Sequence, residues 1–320
     1  ADDGIRDSVA SRGLGDVYKR QVIHQSDINY GRNHMSKARE RFRSVLSSDT
    51  CTVAANIFDP LSARIAEMLN YEVCFLSGSV GKAANLGVPD LVMYNMSDAV
   101  DHCRRITRMA DVSLMLDGED GFGNAVNTIR TVREFESAGV SAIEIEDSKP
   151  PDKFDGPDPG LYSKTEQVGK LTAASSARRD PGTVIVARTA ALAQCPLEEA
   201  LDRISAYSTT GVEAIRLTGI KTREQLIAVH QATKLPLTTL SPPTEILNDR
   251  HFLAENGLRI LMLGNPAFSV AVKGIYDCLN HLKSGGTLED LPMEEASPDL
   301  LREVSRIDEL TQLQSKYLPK

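Results

Sequence analysis

Long apolar runs, basic clusters and paired cysteines are all missing from this sequence. The longest apolar stretches have the length of a β-strand, far short of the ~20 residues that a membrane-spanning helix needs. No basic run stands out, and 36 Lys and Arg residues against 44 Asp and Glu residues give a net charge of −8. A nucleic-acid partner or an anionic membrane surface is therefore not expected, and a small-molecule ligand fits better.

The beginning of the chain also lacks the apolar core of a secretory signal, so we expect a cytoplasmic protein. The five cysteines are scattered, with no C-x-x-C pair and no spacing suited to zinc. We expect them to be reduced and buried as small hydrophobic residues. They are Cys51, Cys74, Cys103, Cys195 and Cys278.

A chain of 320 residues has room for two average domains or for one α/β barrel of roughly 250 residues. Residues 1–33 mix Asp, Arg, Gly and Ser without an apolar period, so they bury too little surface to offset their ordering entropy. We expect a disordered tail there, extraneous to the domain, followed by a basic amphipathic helix over Met35–Leu46. A barrel is then expected over 34–283.

Short apolar segments alternate with helical patterns eight times along the chain. The strand candidates are Thr52–Phe58, Tyr71–Ser77, Val112–Asp117, Ala142–Glu146, Thr183–Arg188, Val212–Leu217, Leu235–Leu240 and Leu258–Leu263. The helix candidates are Leu61–Leu69, Ser97–Met109, Asn124–Ser137, Ser163–Arg178, Leu197–Ser208, Thr222–Thr233, Thr244–Glu255 and Ala267–Lys283. Apolar strands that are each followed by a helix favour a parallel sheet, and eight such units favour a closed (β/α)₈ TIM barrel.

Polar side chains gather where the predicted strands end. Active sites of such barrels are built at the carboxyl ends of the strands, whereas the opposite ends here carry ordinary turns such as Ala138-Gly139 and Thr210-Gly211. This polarity predicts an enzyme. The polar groups at the strand ends are Asp59, Ser77-Gly78-Ser79, Asp117 with Glu119, Glu146-Asp147, Arg188-Thr189 and Gly264-Asn265.

Leu114–Asn124 runs from apolar residues into three acids and then into a glycine-rich turn. A helix-loop-helix calcium site is excluded, because Thr128 occupies the position of its bidentate Glu. The glycines match neither phosphate-binding fingerprint. A solvated acidic turn and a magnesium site with oxygen ligands remain, and we favour the magnesium site.

After the last predicted barrel helix come the flexible Ser284–Thr287 and an acidic linker, followed by a helix over Asp299–Lys316. A helix beyond the eighth has no place on its own finished barrel. We expect residues 284–320 to form a linker and a C-terminal helix that packs on a neighbouring subunit.

Six motifs in register resemble the phosphoenolpyruvate mutase/isocitrate lyase superfamily, over roughly Val53 to Lys283. They are Phe58–Ile65, Ser77-Gly-Ser79, Leu86–Asp90, Asp117-x-Glu119-x-Gly-Phe-Gly-Asn124, Ile145-Glu-Asp147 and Ala187-Arg-Thr189. The resemblance implies a (β/α)₈ barrel whose eighth helix is exchanged between subunits, in a homo-oligomer that is a dimer of dimers. It also implies Mg²⁺, with Mn²⁺ as the alternative ion, and an enolate formed from a 2-oxo acid substrate.

The resemblance further implies a role for each matching residue. Asp117, Glu119 and Glu146 would hold the metal directly or through water. Ser77, Gly78 and Ser79 would offer donors to a substrate carboxylate, and Arg188 would grip a carboxylate or phosphonyl group. Asp90 would lie on a segment over the pocket, and Asn265 would donate a hydrogen bond to a carboxylate or enolate.

Structural alternatives stand beside these roles. Arg188 could be a structural ion-pair residue. Asp147 could only orient its neighbours, and Asp59 could cap the following helix. Lys82 and the segment Lys149–Lys153 could be solvated loop charges, and Asp120 is taken as a bystander.

Departures from the superfamily bear on the reaction. Residues 149–158 contain neither the Cys nor the His of the isocitrate lyase loop, and Phe75 stands where mutases have Trp. The spacing from Ser77 to Asp90 is most similar to the oxaloacetate decarboxylase branch, although Pro242 and Asn265 replace its usual Tyr and His. Glu119 also replaces the more common Asp.

We therefore predict a magnesium-dependent carbon–carbon lyase that decarboxylates oxaloacetate or cleaves a related 2-oxo or 2-hydroxy dicarboxylate. Phosphonopyruvate or phosphoenolpyruvate mutase or hydrolase chemistry is the first alternative, and a methylisocitrate lyase-like reaction is another. A non-catalytic barrel is the hypothesis from a different class.

Overall fold

A computed structural model describes residues 36–90, 93–150 and 159–319. The predicted tail over 1–33 lies outside the described residues, as does most of the loop over 149–158. Eight parallel strands form a closed barrel in sequence order, and pairing of β1 with β8 closes it. The TIM barrel prediction is confirmed. The strands are β1 Thr52–Asn56, β2 Cys74–Leu76, β3 Leu114–Asp117, β4 Ala142–Glu146, β5 Val184–Thr189, β6 Ala214–Leu217, β7 Leu237–Leu240 and β8 Leu258–Met262.

Helices alternate with the strands, and the predicted pattern holds apart from four local differences. An extra helix follows β2, a short one follows β5, and the predicted Thr244–Glu255 and Asp299–Lys316 are each divided in two. The helices are α1 Lys37–Ser47, α2 Pro60–Met68, α3 Gly78–Leu86, α4 Met96–Met109, α5 Ala125–Ser137, α6 Lys164–Ala177, α7 Ala191–Gln194, α8 Leu197–Tyr207, α9 Arg223–Ala232, α10 Thr244–Leu247, α11 Arg250–Glu255, α12 Pro266–Lys283, α13 Pro298–Val304 and α14 Ile307–Tyr317.

The extra helix α3 has a physical explanation. Its sequence contains two glycines and few large apolar residues, so it shows no clear helical period. It forms because both ends are capped: the Ser77 hydroxyl accepts from the Val80 N–H at 3.4 Å, and Gly87 ends the helix at φ 68°. This helix carries side chains from the end of β2 into the barrel mouth.

Asp59 is the N-cap of α2, as one of the two interpretations of this residue predicted. Its Oδ1 accepts from the Ser62 N–H at 2.7 Å, and Ser62 Oγ accepts from the Asp59 N–H at 3.0 Å. This reciprocal capping box, with Pro60 at the first helical position, satisfies the free donors of the first turn. The Asp59 carboxylate is thus engaged in capping α2.

Helix α1 closes the amino end of the barrel. Its Phe42 and Val45 are buried against the apolar residues inside the barrel. Arg41 bonds the Ser113 hydroxyl just before β3, and Arg43 donates to the Gly182 carbonyl just before β5. Because this end is filled with apolar side chains, chemistry is confined to the carboxyl end of the strands.

One ion pair crosses the interior of the barrel. Glu144 on β4 and Arg216 on β6 are in direct contact and almost fully buried. The guanidinium of Arg216 lies 4.8 Å from the ring centre of Phe75. Burial raises the pKa of Glu144 to about 7, although Arg216 acts to lower it. The pair has incomplete hydrogen bonding, since Glu144 Oε1 and Arg216 Nε find no partner among the described residues.

We expect Arg216→Met to lower the free energy of unfolding by ~3 kcal/mol, because it leaves a buried carboxyl group without its partner. Urea denaturation followed by circular dichroism measures the change. The double variant Glu144→Met/Arg216→Met removes both charges and should recover most of the loss, since apolar replacements of buried ion pairs are often neutral. Equal destabilisation of the single and double variants would contradict a cost that comes from the unpaired carboxyl group.

The C-terminal segment is partly attached to its own barrel. Val304 at the end of α13 is buried, and Arg306 Nη2 lies 3.0 and 2.9 Å from the carboxylate oxygens of Glu67 on α2. Arg306 has φ 51°, and this left-handed residue divides the single helix that we predicted into α13 and α14. No helix in the described part of the chain is long and apolar enough to cross a membrane.

Candidate active site

Three carboxylates converge at the carboxyl ends of β3 and β4. Asp117 and Glu146 are the last residues of these strands, and Glu119 lies two residues beyond Asp117. One oxygen of each of the three side chains lies within 4.8 Å of the others. The grouping predicted from the strand ends is therefore present in three dimensions.

Glu119 reaches this cluster through an unusual backbone conformation. Its φ is 52°, a left-handed value that is rare for a side chain other than glycine, and its N–H donates to Asp117 Oδ1 at 3.1 Å. The glutamate carboxylate lies against Gly78, where an added Cβ would be 2.3 Å from Glu119 Oε1. Gly78 is thus required so that the backbone of α3 can approach the acids. Its own N–H donates to Asp117 Oδ2 at 3.3 Å.

Arg188 at the end of β5 links two of the three acids. Its Nη1 is 2.5 Å from Asp117 Oδ2, and its Nε is 3.1 Å from Glu146 Oε2. These acids raise the pKa of the guanidinium above its ordinary value, against the effect of burial. The ion-pair interpretation of Arg188 describes the contacts in this structure, and its grip on a substrate stays a prediction.

The electrostatics of the three acids differ. Burial alone would raise the pKa of Asp117, but Arg188, Arg216 and Lys82 lower it to about 2. Burial raises the pKa of Glu119 to about 7 and that of Glu146 to about 8, and neighbouring acids add to both shifts. The neighbouring cations thus favour the charged form of Asp117, whereas burial and the adjacent acids disfavour the charged forms of Glu119 and Glu146.

The arrangement fits a divalent cation. Three carboxylate oxygens are the hard donors that magnesium prefers, and they leave coordination positions for water or substrate. A bound cation would offset the crowding of acids that, together with burial, raises the pKa values of Glu119 and Glu146. The residues present can hold a divalent metal ion.

Lys82 is not a solvated loop charge, and that interpretation was wrong. It lies on α3, only 4% exposed, with Nζ 2.6 Å from Glu119 Oε1 and 2.7 Å from Asp90 Oδ1. Burial alone would lower its pKa, but these two acids raise it. The sequence did not show this contact, because the helix that carries Lys82 was not predicted.

The predicted donors at the end of β2 form a hydrogen-bonded group with Asn265. Ser77 Oγ lies 3.3 Å from Asn265 Oδ1 and 3.4 Å from Ser79 Oγ. Asn265 Oδ1 also accepts from the Asn56 amide at 3.1 Å. Ser77 and Asn265 are thus held by one another, and Asn56 is a member of this group that sequence reasoning missed.

The remaining two acids are structural. Asp147 is buried and accepts from Thr189 Oγ1, the Ala190 N–H and Tyr207 OH, so it orients the end of β5 as proposed. Asp120 is more than a bystander. Its Oδ2 accepts from Tyr162 OH at 2.8 Å and lies 3.2 Å from the ammonium of the buried Lys170.

The acids open into a cavity of about 1130 Å³ at the carboxyl end of the barrel. Its wall includes Tyr94, Arg130, Lys149 and Tyr162 as well as Asp90. Of these, only Asp90 was predicted for the site. Lys149 was interpreted as a possible solvated loop charge, and no motif marks Tyr94, Arg130 or Tyr162. A cavity of this size admits a small organic acid together with water.

A family model described as phosphoenolpyruvate phosphomutase matches residues 42–283. An oxaloacetate decarboxylase of Rhodopseudomonas palustris strain BisA53 is 38% identical over 270 residues, which cover 84% of this chain and 93% of the relative. One of Paraburkholderia xenovorans strain LB400 is 37% identical over 281 residues, 88% of this chain and 93% of the relative.

Solved structures agree in fold. A phosphonopyruvate hydrolase in complex with oxalate and Mg²⁺ has a TM-score of 0.77 and 29% identity, and the match covers 89% of this chain and all of that one. A phosphoenolpyruvate phosphomutase from Streptomyces platensis subsp. rosaceus has a TM-score of 0.78 at 24% identity, over 88% and 99% of the two chains. With the carboxylate cluster in place at the mouth of the barrel, the chain belongs to the phosphoenolpyruvate mutase/isocitrate lyase superfamily.

Proposed function

We propose that this protein is a magnesium-dependent carbon–carbon lyase that decarboxylates oxaloacetate, or a closely related 2-oxo diacid, through a pyruvate-type enolate. The observation that carries the proposal is the contact of Arg188 with two members of a three-carboxylate cluster. The relatives named oxaloacetate decarboxylase support the choice of substrate. We also propose that the protein is located in the cytoplasm, as the sequence predicts.

Asp117, Glu119 and Glu146 would hold the ion. When bound, magnesium would act as a Lewis acid toward the 2-oxo oxygen of the substrate, where negative charge grows as the carbon–carbon bond breaks. Arg188 would stabilise the same charge from the β5 side, in a cavity where burial strengthens electrostatic interactions.

The α3 side of the site would orient the substrate carboxylates. Ser77 Oγ and Ser79 Oγ are hydroxyl donors at the start of this helix, and the positive end of the helix dipole favours anions there. Asn265 would add an amide N–H on the same side. Carbon dioxide leaves from the carboxylate beta to the 2-oxo group, and the enolate then takes a proton to give pyruvate.

We expect pyruvate release from oxaloacetate that depends on added magnesium and stops on chelation with EDTA. A lactate dehydrogenase-coupled assay measures it, with free magnesium alone as the control for spontaneous decarboxylation. Manganese should restore activity after chelation, because it accepts the same oxygen ligands. No rate above the free-metal control, with magnesium bound, would refute the proposed substrate.

Phosphorus–carbon chemistry is the second candidate, favoured by the match to a phosphonopyruvate hydrolase over 89% of this chain. A ³¹P NMR assay with phosphonopyruvate separates the two. Formation of inorganic phosphate or phosphoenolpyruvate at a rate above that of oxaloacetate decarboxylation would replace the first candidate by this one.

We also propose that α12 is exchanged with a neighbouring subunit in a dimer of dimers. None of its 18 residues is buried, and its apolar side chains are largely exposed, with Val270 at 71%, Tyr276 at 65% and Leu279 at 63%. An amphipathic helix with an uncovered apolar face needs a partner surface.

The double variant Ile275→Glu/Leu279→Glu is expected to reduce the assembly to smaller species, since both side chains are over 60% exposed in the isolated chain. Size-exclusion chromatography with light scattering gives the mass. Lys283→Glu on the same helix is the control for a change of charge alone. An unchanged mass in the double variant would exclude α12 as the interface.

A further inference from the structure

Lys82 is the buried cation of the site that no metal or substrate role accounts for. Its side chain is 5% exposed, whereas that of Asp90, one of its two partners, is 60% exposed. It projects from the second turn of α3, one turn beyond the glycine that lies against Glu119. A lysine is costly to bury, so its two carboxylate contacts must offset the loss of hydration.

The charges of the connected side chains can be counted. Among the described residues, four carboxylates, those of Asp90, Asp117, Glu119 and Glu146, are in direct contact with two cations, Lys82 and Arg188. With all six ionised, the sum is −4 + 2 = −2. One divalent cation neutralises this group, and without Lys82 the sum would be −3.

The position of Glu119 depends on the same lysine. Its backbone is left-handed at φ 52°, and its Oε1 is enclosed between Nζ of Lys82 at 2.6 Å and the backbone at Gly78. With Oε1 taken by the ammonium group, the other oxygen is the one left for a metal ion. An aspartate here would be one methylene shorter and would withdraw from Lys82.

Lys82 also connects the cluster to Asp90, which lines the cavity. Asp90 Oδ1 accepts from Nζ at 2.7 Å, and Asp90 lies on the cavity wall, three residues beyond Gly87, the C-cap of α3. One ammonium group therefore contacts a predicted metal ligand and a residue of the cavity rim.

We propose that Lys82 is a positioning residue: it holds Glu119 in the orientation that turnover needs, it lowers the net negative charge around the metal ion, and it holds Asp90 at the cavity wall. This inference rests on the proposed metal-dependent lyase function. It assigns to Lys82 two separable effects, one on metal affinity through charge and one on turnover through the placement of Glu119.

The test measures Mg²⁺ binding by calorimetry and pyruvate release from oxaloacetate in the full chain. We expect Lys82→Met to bind Mg²⁺ ~10-fold more tightly, because a like charge near the ion is removed. Turnover should nevertheless fall ~10-fold or more, because a loss of positioning is costly even without direct contact to the substrate. Lys82→Arg keeps the charge and should retain the wild-type Mg²⁺ affinity.

A double-mutant cycle with Glu119→Asp tests whether Lys82 acts through Glu119. In the Glu119→Asp background, Lys82→Met should change turnover by less than ~2-fold, whereas independent residues would multiply their effects. Lys164→Met, which breaks the exposed ion pair to Asp202, is the matched control and should leave both readouts unchanged.

Weaker Mg²⁺ binding in Lys82→Met, or multiplicative effects in the cycle, would overturn the proposal. A loss of both readouts together with a lower unfolding midpoint would also overturn it, because it would identify Lys82 as a structural residue only. If the wild type binds Mg²⁺ but releases no pyruvate, the proposed lyase function is refuted. The Mg²⁺ affinities of the Lys82 variants would still test whether the charge of Lys82 weakens metal binding.

Discussion

Asp117→Ala is expected to abolish pyruvate release from oxaloacetate above the rate given by free magnesium. Among the three acids, Asp117 alone has a pKa well below neutrality, about 2, whereas those of Glu119 and Glu146 are raised. The neighbouring cations thus favour the charged form of Asp117, which is the form that binds a metal ion. A metal ion supplies several kcal/mol of transition-state stabilisation, so the loss should reach ~10³-fold or more.

The isosteric Asp117→Asn separates charge from packing. It retains an acceptor for the Gly78 N–H, which donates to Oδ2 at 3.3 Å, but it removes the negative charge that pairs with Arg188. We expect it to be nearly as inactive as Asp117→Ala, with Mg²⁺ affinity reduced in calorimetry. Asp202→Asn, at an exposed ion pair, is the control. Full activity in either Asp117 variant would refute the assignment of the metal site.

Arg188→Lys is expected to lower kcat/KM for oxaloacetate by ~10- to 100-fold, and Arg188→Met by more, because each hydrogen bond to a charged group contributes ~1.5–3 kcal/mol. The guanidinium spans two acids, through Nη1 to Asp117 and through Nε to Glu146. Lysine keeps the positive charge but is a point donor on a flexible stem, so it cannot reproduce this planar, two-sided contact.

Steady-state kinetics and Mg²⁺ calorimetry should be compared for both Arg188 variants. If Arg188 contacts the substrate, Arg188→Lys changes KM and kcat while Mg²⁺ binding stays near that of the wild type. If it only holds Asp117 and Glu146 in place, Arg188→Lys should change the Mg²⁺ affinity while KM for oxaloacetate stays near that of the wild type. The second result would favour the alternative that the sequence left open.

Much of this molecule follows from local patterns. The eight apolar segments predicted the eight strands, because a strand that is buried on both faces is apolar along most of its length. The cluster of Asp117, Glu119 and Glu146 followed from strand polarity and from motif spacing, since neighbouring parallel strands bring their carboxyl ends together. Both inferences use only the residue pattern within a strand and the order of the strands along the chain.

Other features escaped prediction because they depend on weak local signals. Helix α3 has two glycines and no clear period, so its caps at Ser77 and Gly87 decide its formation. The division of the predicted Thr244–Glu255 helix occurs at Asn248, and Asp249 caps the second part through the Phe252 N–H. Asn and Asp side chains can bond the backbone in place of the helical hydrogen bonds. The sequence alone does not show whether the helix continues or ends at such a residue.

The sequence by itself determined the barrel, the end at which chemistry takes place and the acids that gather there, since each follows from periodicity or from adjacency along the chain. Only the tertiary structure decided the partners of those acids. Lys82 meets Glu119 across 37 positions of sequence, and Arg216 meets Glu144 across 72. Closure of the barrel and burial select such pairs, because an isolated charge inside the protein is unstable and only three-dimensional proximity supplies its partner.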